Sequence, residues 1–125
     1  MPKLPKPTPA ELDLLRVLWR LGPSTVKEVH LEAAKAREIA YANVLRQLQI
    51  MHDKGLVSRN ESQRSHVYAP VQAKEVTRKG LLTDFIRMAF SGSGKELVMA
   101  ALQGGHITPE ERAEIEAFLR GEAER

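Results

Sequence analysis

From Leu12 the chain carries a dense apolar run, Leu12, Leu14, Leu15, Val17, Leu18, Trp19 and Leu21. Its polar interruptions, Asp13, Arg16 and Arg20, lie three and four apart on one narrow stripe. That pattern predicts a helix buried over most of its circumference, with Trp19 in the core. Thr8-Pro9-Ala10-Glu11 supplies its start: a capping hydroxyl, a proline at the first helical position and a glutamate placed for a capping box. Gly22-Pro23 stops it.

Ser24 or Thr25 then opens a second helix with Val26, Val29 and Ala33 on one face, and the polar segment 34–38 turns into a third. The third spans Ala40 to Lys54, with Val44, Leu48 and Met51 inward and Gly55 as its stop. Beyond Gly55 the period changes. Segments 56–60 and 66–69 read as two short strands around the polar turn 61–65, and Pro70 ends the second strand.

Helical spacing returns over 73–90, where Leu82, Phe85, Ile86 and Ala89 share a face. After the break Ser91-Gly92-Ser93-Gly94, a short helix over 95–103 carries Leu97, Val98, Ala101 and Leu102, and Gly104-Gly105 ends it. Thr108-Pro109-Glu110-Glu111 repeats the opening cap before a last helix with Ile115, Phe118 and Leu119 on one face. The predicted fold class is mainly α with a small β-hairpin. Residues 1–72 form a winged helix-turn-helix and residues 73–125 a helical region. That rear has apolar stripes but too few residues for a core of its own, so its easiest partner is a second copy. Phe85, Ile86, Phe90, Leu97, Leu102, Ile115, Phe118 and Leu119 are the candidate dimer contacts.

Composition narrows the function. The chain has 125 residues, no cysteine, 42% hydrophobic and 28% charged residues. This excludes a disulfide framework, a thiolate metal site and a cysteine nucleophile, and it makes global disorder a poor fit. The longest uncharged stretch, 97–109, falls short of the ~18 apolar residues of a membrane span, and no apolar segment precedes Glu11 as a secretory signal would need. The expectation is a soluble, cytoplasmic protein with no membrane insertion.

Charge is uneven. Residues 1–80 hold 14 Lys/Arg against 8 Asp/Glu, a surplus of +6, while residues 81–125 hold 5 against 8, or −3. A basic front suits a polyanion.

The chemistry sits on the third helix and the hairpin. With Val44, Leu48 and Met51 inward, the outward face presents Ala42, Asn43, Arg46 and Gln47, then Ile50. Asn and Gln can pair bidentately with adenine, and Arg with guanine, in a major groove. Ala40 and Ala42 are small enough for close approach, and the positive helix end favours a phosphate. Arg59, Arg64, Ser65 and His66 could lie along phosphates from the wing. Tyr41 and Tyr68 could each offer a hydroxyl, or pack; Tyr68 alternates with Val67, so one of that pair points inward.

Other chemistry finds no frame. His30, His52, His66 and His106 lack metal-ligand spacing. No G-x-S-x-G elbow or phosphate loop is present, and Glu110, Glu111, Glu114 and Glu116 crowd a helix start, where acids complement the macrodipole. No enzyme, cofactor or metal is expected. The rival functions are a winged helix that docks on an acidic protein without touching DNA, and a DNA-binding protein that senses a small molecule directly.

Three motifs carry a resemblance. Glu11, Leu15, Leu18 and Trp19 form E-x-x-x-L-x-x-LW, Lys54 to Val57 read K-G-L-V, and Val67, Tyr68 and Pro70 form V-Y-x-P. Together, and over nearly the whole chain, the sequence resembles the penicillinase-repressor family of BlaI, MecI and CopY. The resemblance implies a homodimeric winged-helix repressor on a palindromic operator with TACA/TGTA-like half-sites. It also implies, as in some members, derepression when a membrane-bound sensor protease triggers cleavage in the dimerisation region, here near Met99, Ala100 and Ala101. The copper-responsive branch needs cysteines this chain lacks. Asn43 and Arg46 stand where members often have threonines, and Ile50 replaces a common arginine, which leaves the operator sequence open.

Overall fold

The computed structural model describes residues 6–123. They form two compact units, one running to Leu81 and one from Leu82. The first unit therefore extends past the boundary expected at residue 72. The reason is local: the start of the fourth helix, at Thr77, reaches a small crevice beside Leu15 and Leu56, so it belongs with the front.

Helix α1 (Pro9–Leu21) begins as its cap predicts. The Thr8 N–H donates to Glu11 Oε1 at 2.9 Å, and the Glu11 N–H donates to Thr8 Oγ1 at 3.2 Å. Thr25 and Glu28 build the same reciprocal cap for α2 (Val26–Ala33). Helix α3 (Tyr41–Lys54) follows, and Gly55 ends it with φ 87°, a left-handed turn that a side chain would strain. The Leu56 N–H then donates back to the Met51 carbonyl at 2.9 Å, turning the chain out toward the wing.

Strands β2 (Val57–Asn60) and β3 (Val67–Pro70) make the expected hairpin. A third strand was not expected: β1 (Ser24–Thr25) pairs antiparallel with β3, giving the order β1-β3-β2. Its two residues are too few to show alternation. The extended backbone that Thr25 adopts as an N-cap also makes it available for pairing. Pro70 closes β3 within the strand, opposite Val57. The missing N–H is tolerated there because β1 reaches only Val67 and Tyr68, leaving that end an edge.

The core gathers Leu14, Leu15 and Leu18 of α1, Val29 of α2, Val44, Leu48 and Met51 of α3, and Val57 with Tyr68 from the sheet. Each of these would contribute roughly 1.5–3 kcal/mol relative to exposure. Trp19 is a partial correction. It lies half-buried against this cluster, and its Nε1–H donates to the Gln72 carbonyl at 3.0 Å, pinning the segment that leaves the wing.

The second unit continues α4 (Lys74–Phe90) and adds α5 (Gly94–Gln103) and α6 (Pro109–Ala123). Ser93 caps α5, and the Thr108–Glu111 capping box opens α6 as expected. Phe85 and Phe90 meet edge to face, with ring centroids 5.9 Å apart. Among the described residues beyond 72, none is buried.

Candidate nucleic-acid interface

Burial of Val44, Leu48 and Met51 fixes how α3 turns its other side outward. Ala42, Asn43 and Arg46 are exposed, Gln47 and Ile50 half-buried. At the start of α3 the N-cap is Ala40, which has no side-chain acceptor to spend on the first N–H groups. Ala40 and Ala42 therefore present little beyond backbone. Beside this face runs an open groove of about 630 Å³. Ala10 and Leu14 line its α1 side, Arg37 and Glu38 the α2–α3 turn, and Asn43, Arg46 and Gln47 the third helix. Sequence reasoning missed Arg37, because only the fold brings that turn alongside α3.

The wing approaches α3 from its other side. A second cleft, of about 250 Å³, joins Arg64, Ser65 and His66 to Tyr41, Lys27 and Gln49. Tyr41 is 47% exposed, and its ring meets His30 edge to face at 5.7 Å. His30 is itself fixed, since its Nε2 lies 2.9 Å from the Ile39 carbonyl and so must carry the proton. The tip of the wing is shaped by Asn60, whose Oδ1 accepts the Ser62 N–H at 2.9 Å.

Arg59 stands apart from the other wing residues. It faces Tyr68 across the β2–β3 pair, and its Nε donates to Glu61 Oε2 at 2.7 Å. The Tyr68 hydroxyl and then the Glu61 carboxylate raise the Arg59 pKa, and Arg59 in turn lowers that of Glu61. Tyr68 is buried, so of the two tyrosines only Tyr41 can reach a phosphate.

One charged residue lies inside the fold. Glu11 is 2% exposed, and its Oε2 accepts from Lys54 Nζ at 2.8 Å. Burial alone would raise its pKa, but the hydrogen bonds from Lys54 and Thr8 and the Lys54 charge outweigh that and leave it lowered. The pair ties the first turn of α1 to the last turn of α3.

A family model of the penicillinase repressors matches residues 7–121. The chain belongs to the penicillinase-repressor family. Within that family it is similar to the transcriptional regulator BlaI of Mycobacterium tuberculosis, strains CDC 1551 / Oshkosh and H37Rv, with 31% identity over 100 residues. The match covers 79% of this chain and 72% of the relative. A solved structure of Bordetella bronchiseptica BpsR, from work on regulation of its DNA binding by 6-hydroxynicotinic acid, aligns over 98% of this chain and 83% of that one. Identity there is 20% and the TM-score 0.48.

As a penicillinase-repressor family member the chain is a transcriptional regulator with a winged-helix fold, and its relatives are regulators rather than enzymes. Two of the motifs that carry the family resemblance meet in space, since Glu11 belongs to one and Lys54 to the other. No described helix is long and apolar enough to cross a membrane, and no described cluster of His, Asp or Glu could hold a metal ion. The candidate dimer contacts all remain accessible within one chain. Phe85, Phe118 and Leu119 are exposed, and Ile86, Phe90, Leu97, Leu102 and Ile115 half-buried. Met99, Ala100 and Ala101 lie inside α5.

Proposed function

We propose that this family member represses transcription as a homodimer. The α3 face of Ala42, Asn43, Arg46 and Gln47 reads base edges in the major groove, with Ala40 and Tyr41 at the helix start and Arg64, Ser65 and His66 gripping phosphates from the wing. The observation that carries this reading is the uncovered face of Asn43 and Arg46 on a helix whose opposite side is locked into the core. Arg59 supports the wing from within, through Glu61 and Tyr68.

Dimerisation rests on the second unit. A helical region with Phe118 65% exposed and no buried described residue needs a cover, and a second copy of the same stripes supplies one. Two recognition helices then meet successive major grooves roughly 34 Å apart, on a palindrome. Cleavage at Met99, Ala100 or Ala101 by a membrane-bound sensor protease would cut α5 and detach α6 from α4; because these residues are helical, α5 must open first.

The test is capture of genomic fragments by the purified protein, followed by footprinting. The expected result is a shared two-fold site with half-sites one helical turn apart. Retention of no fragment at moderate salt overturns the reading and favours a protein-docking module.

A further inference from the structure

The turn that leaves α5 folds back onto the helix it ends. Gly105, with φ 76°, takes the left-handed conformation that a side chain would strain, and the chain reverses there so that His106 meets the last turn of α5. The His106 ring and the Ala100 carbonyl close on one bare hydrogen of Gly104. A Cβ in that place would stand 2.9 Å from His106 Cδ2, 3.1 Å from its Nε2 and 3.0 Å from the Ala100 oxygen. Gly104 itself has φ −85° and ψ 6°, a turn conformation that residues with side chains commonly adopt, so space rather than backbone freedom calls for glycine here. The Ala100 oxygen also accepts the Gly104 N–H at 2.9 Å, the hydrogen bond that closes the helix. The ring borders an open crevice of about 360 Å³, lined with it by Ile107, Glu111, Glu114, Ile115 and Phe118.

We infer that His106 is a latch on α5: its ring, seated against Gly104, covers the closing hydrogen bond of the helix and holds shut the turn that carries Met99, Ala100 and Ala101. The covered oxygen is that of Ala100, so the latch acts on a peptide bond proposed above for cleavage. A protease takes its substrate as an extended strand, and the Ala100 carbonyl must first release the Gly104 N–H before that strand can form. The crevice beside the ring gives it somewhere to go. The latch therefore opens by rotation of one side chain and local fraying of α5, without unfolding of α6. Its part as a gate rests on the cleavage reading, whereas closure of α5 by His106 is a property of the chain alone.

The latch is tested by hydrogen exchange of the full chain, read by mass spectrometry over residues 97–104 at equal scattering mass. Wild type is compared with His106→Ala, Gly104→Ala and the double variant. Alanine for glycine in a compatible turn ordinarily stabilises, but a seated ring reverses the sign, because the new Cβ must push it off. Each single variant should therefore exchange severalfold faster in α5, while the amides of α3 keep their wild-type rates. The two losses should not add, since a ring already removed cannot be displaced again. Elastase, which cuts after small residues, should nick both single variants after Ala100 or Ala101 severalfold sooner than wild type. Wild-type exchange in His106→Ala, or slower exchange in Gly104→Ala, overturns the latch. Faster exchange with unchanged elastase cutting overturns its part as a gate. A nicked chain that retains DNA fragments as tightly as the intact one overturns the cleavage reading and leaves the latch standing.

Discussion

Lys54 Nζ donates to Glu11 Oε2 at 2.8 Å, joining the end of α3 to the start of α1, the helix packed across it. The carboxylate is buried and fully engaged, since its other oxygen accepts the Thr8 N–H. Each end also suits its helix: a negative group in the first turn of α1, a positive one in the last turn of α3. Lys54 remains 35% accessible, so its charge can hydrate if the pair is broken, while Glu11 has no such recourse. The contact anchors the last turn of α3, the helix whose outward face carries Asn43 and Arg46.

Glu11→Gln should therefore destabilise the chain by about 2 kcal/mol, the scale of a charge-assisted hydrogen bond. Urea unfolding at neutral pH measures it. The pH dependence has a definite sign. Because the folded-state pKa of Glu11 is lowered, its contribution is full above the ordinary carboxylate value and is lost as pH falls through the folded one. Wild type and Glu11→Gln should converge in acid; a gap of constant size down to pH 2 would contradict the pairing.

Trp19→Phe keeps an aromatic ring against the core but removes the donor to the Gln72 carbonyl together with part of the indole's packing surface. The expected loss is at least about 1 kcal/mol, the usual net value of one hydrogen bond, with the lost packing added to it. Thermal and urea denaturation should agree on it. An unchanged midpoint would mean that the Gln72 carbonyl is equally satisfied by water.

Phe118→Asp places a charge on the most exposed aromatic of the second unit. The dimer should dissociate, with sedimentation or light scattering giving the mass of one chain. The winged-helix unit should keep its own melting transition, because none of its buried residues lies beyond Tyr68. A wild type that is already monomeric would remove the basis for paired recognition helices.

Salt dependence measures the electrostatic share. If each subunit neutralises three or four phosphates, the dimer should show a log–log slope of about −5 to −7. A slope near zero with binding intact would contradict phosphate contact by the wing.

The parts of this fold that could be read from the sequence are those with local causes. Thr8, Pro9 and Glu11 mark the start of α1, Gly55 the end of α3, and Val44, Leu48 and Met51 the inward stripe that decides where Asn43 and Arg46 point. What escaped depends on residues distant in the chain. β1 is two residues long and exists only through its pairing with β3. Glu11 and Lys54 are separated by most of the winged helix, and no periodicity links them. Arg59 looked like any wing cation until the register placed it opposite Tyr68, where Glu61 could also reach it. Lys27 and Gln49 sit off the reading face and become neighbours of Arg64 only when the hairpin folds back toward α3.

The most direct test is a comparison of wild type and Arg46→Ala by equilibrium titration on the footprinted operator and on a scrambled duplex at fixed salt. Arg46 is exposed, so the substitution should leave stability unchanged. If Arg46 reads a guanine, the variant should lose about 1–3 kcal/mol of discrimination, with operator binding falling toward the scrambled level and scrambled binding little altered. Equal losses on both duplexes would show that α3 does not read sequence through this face.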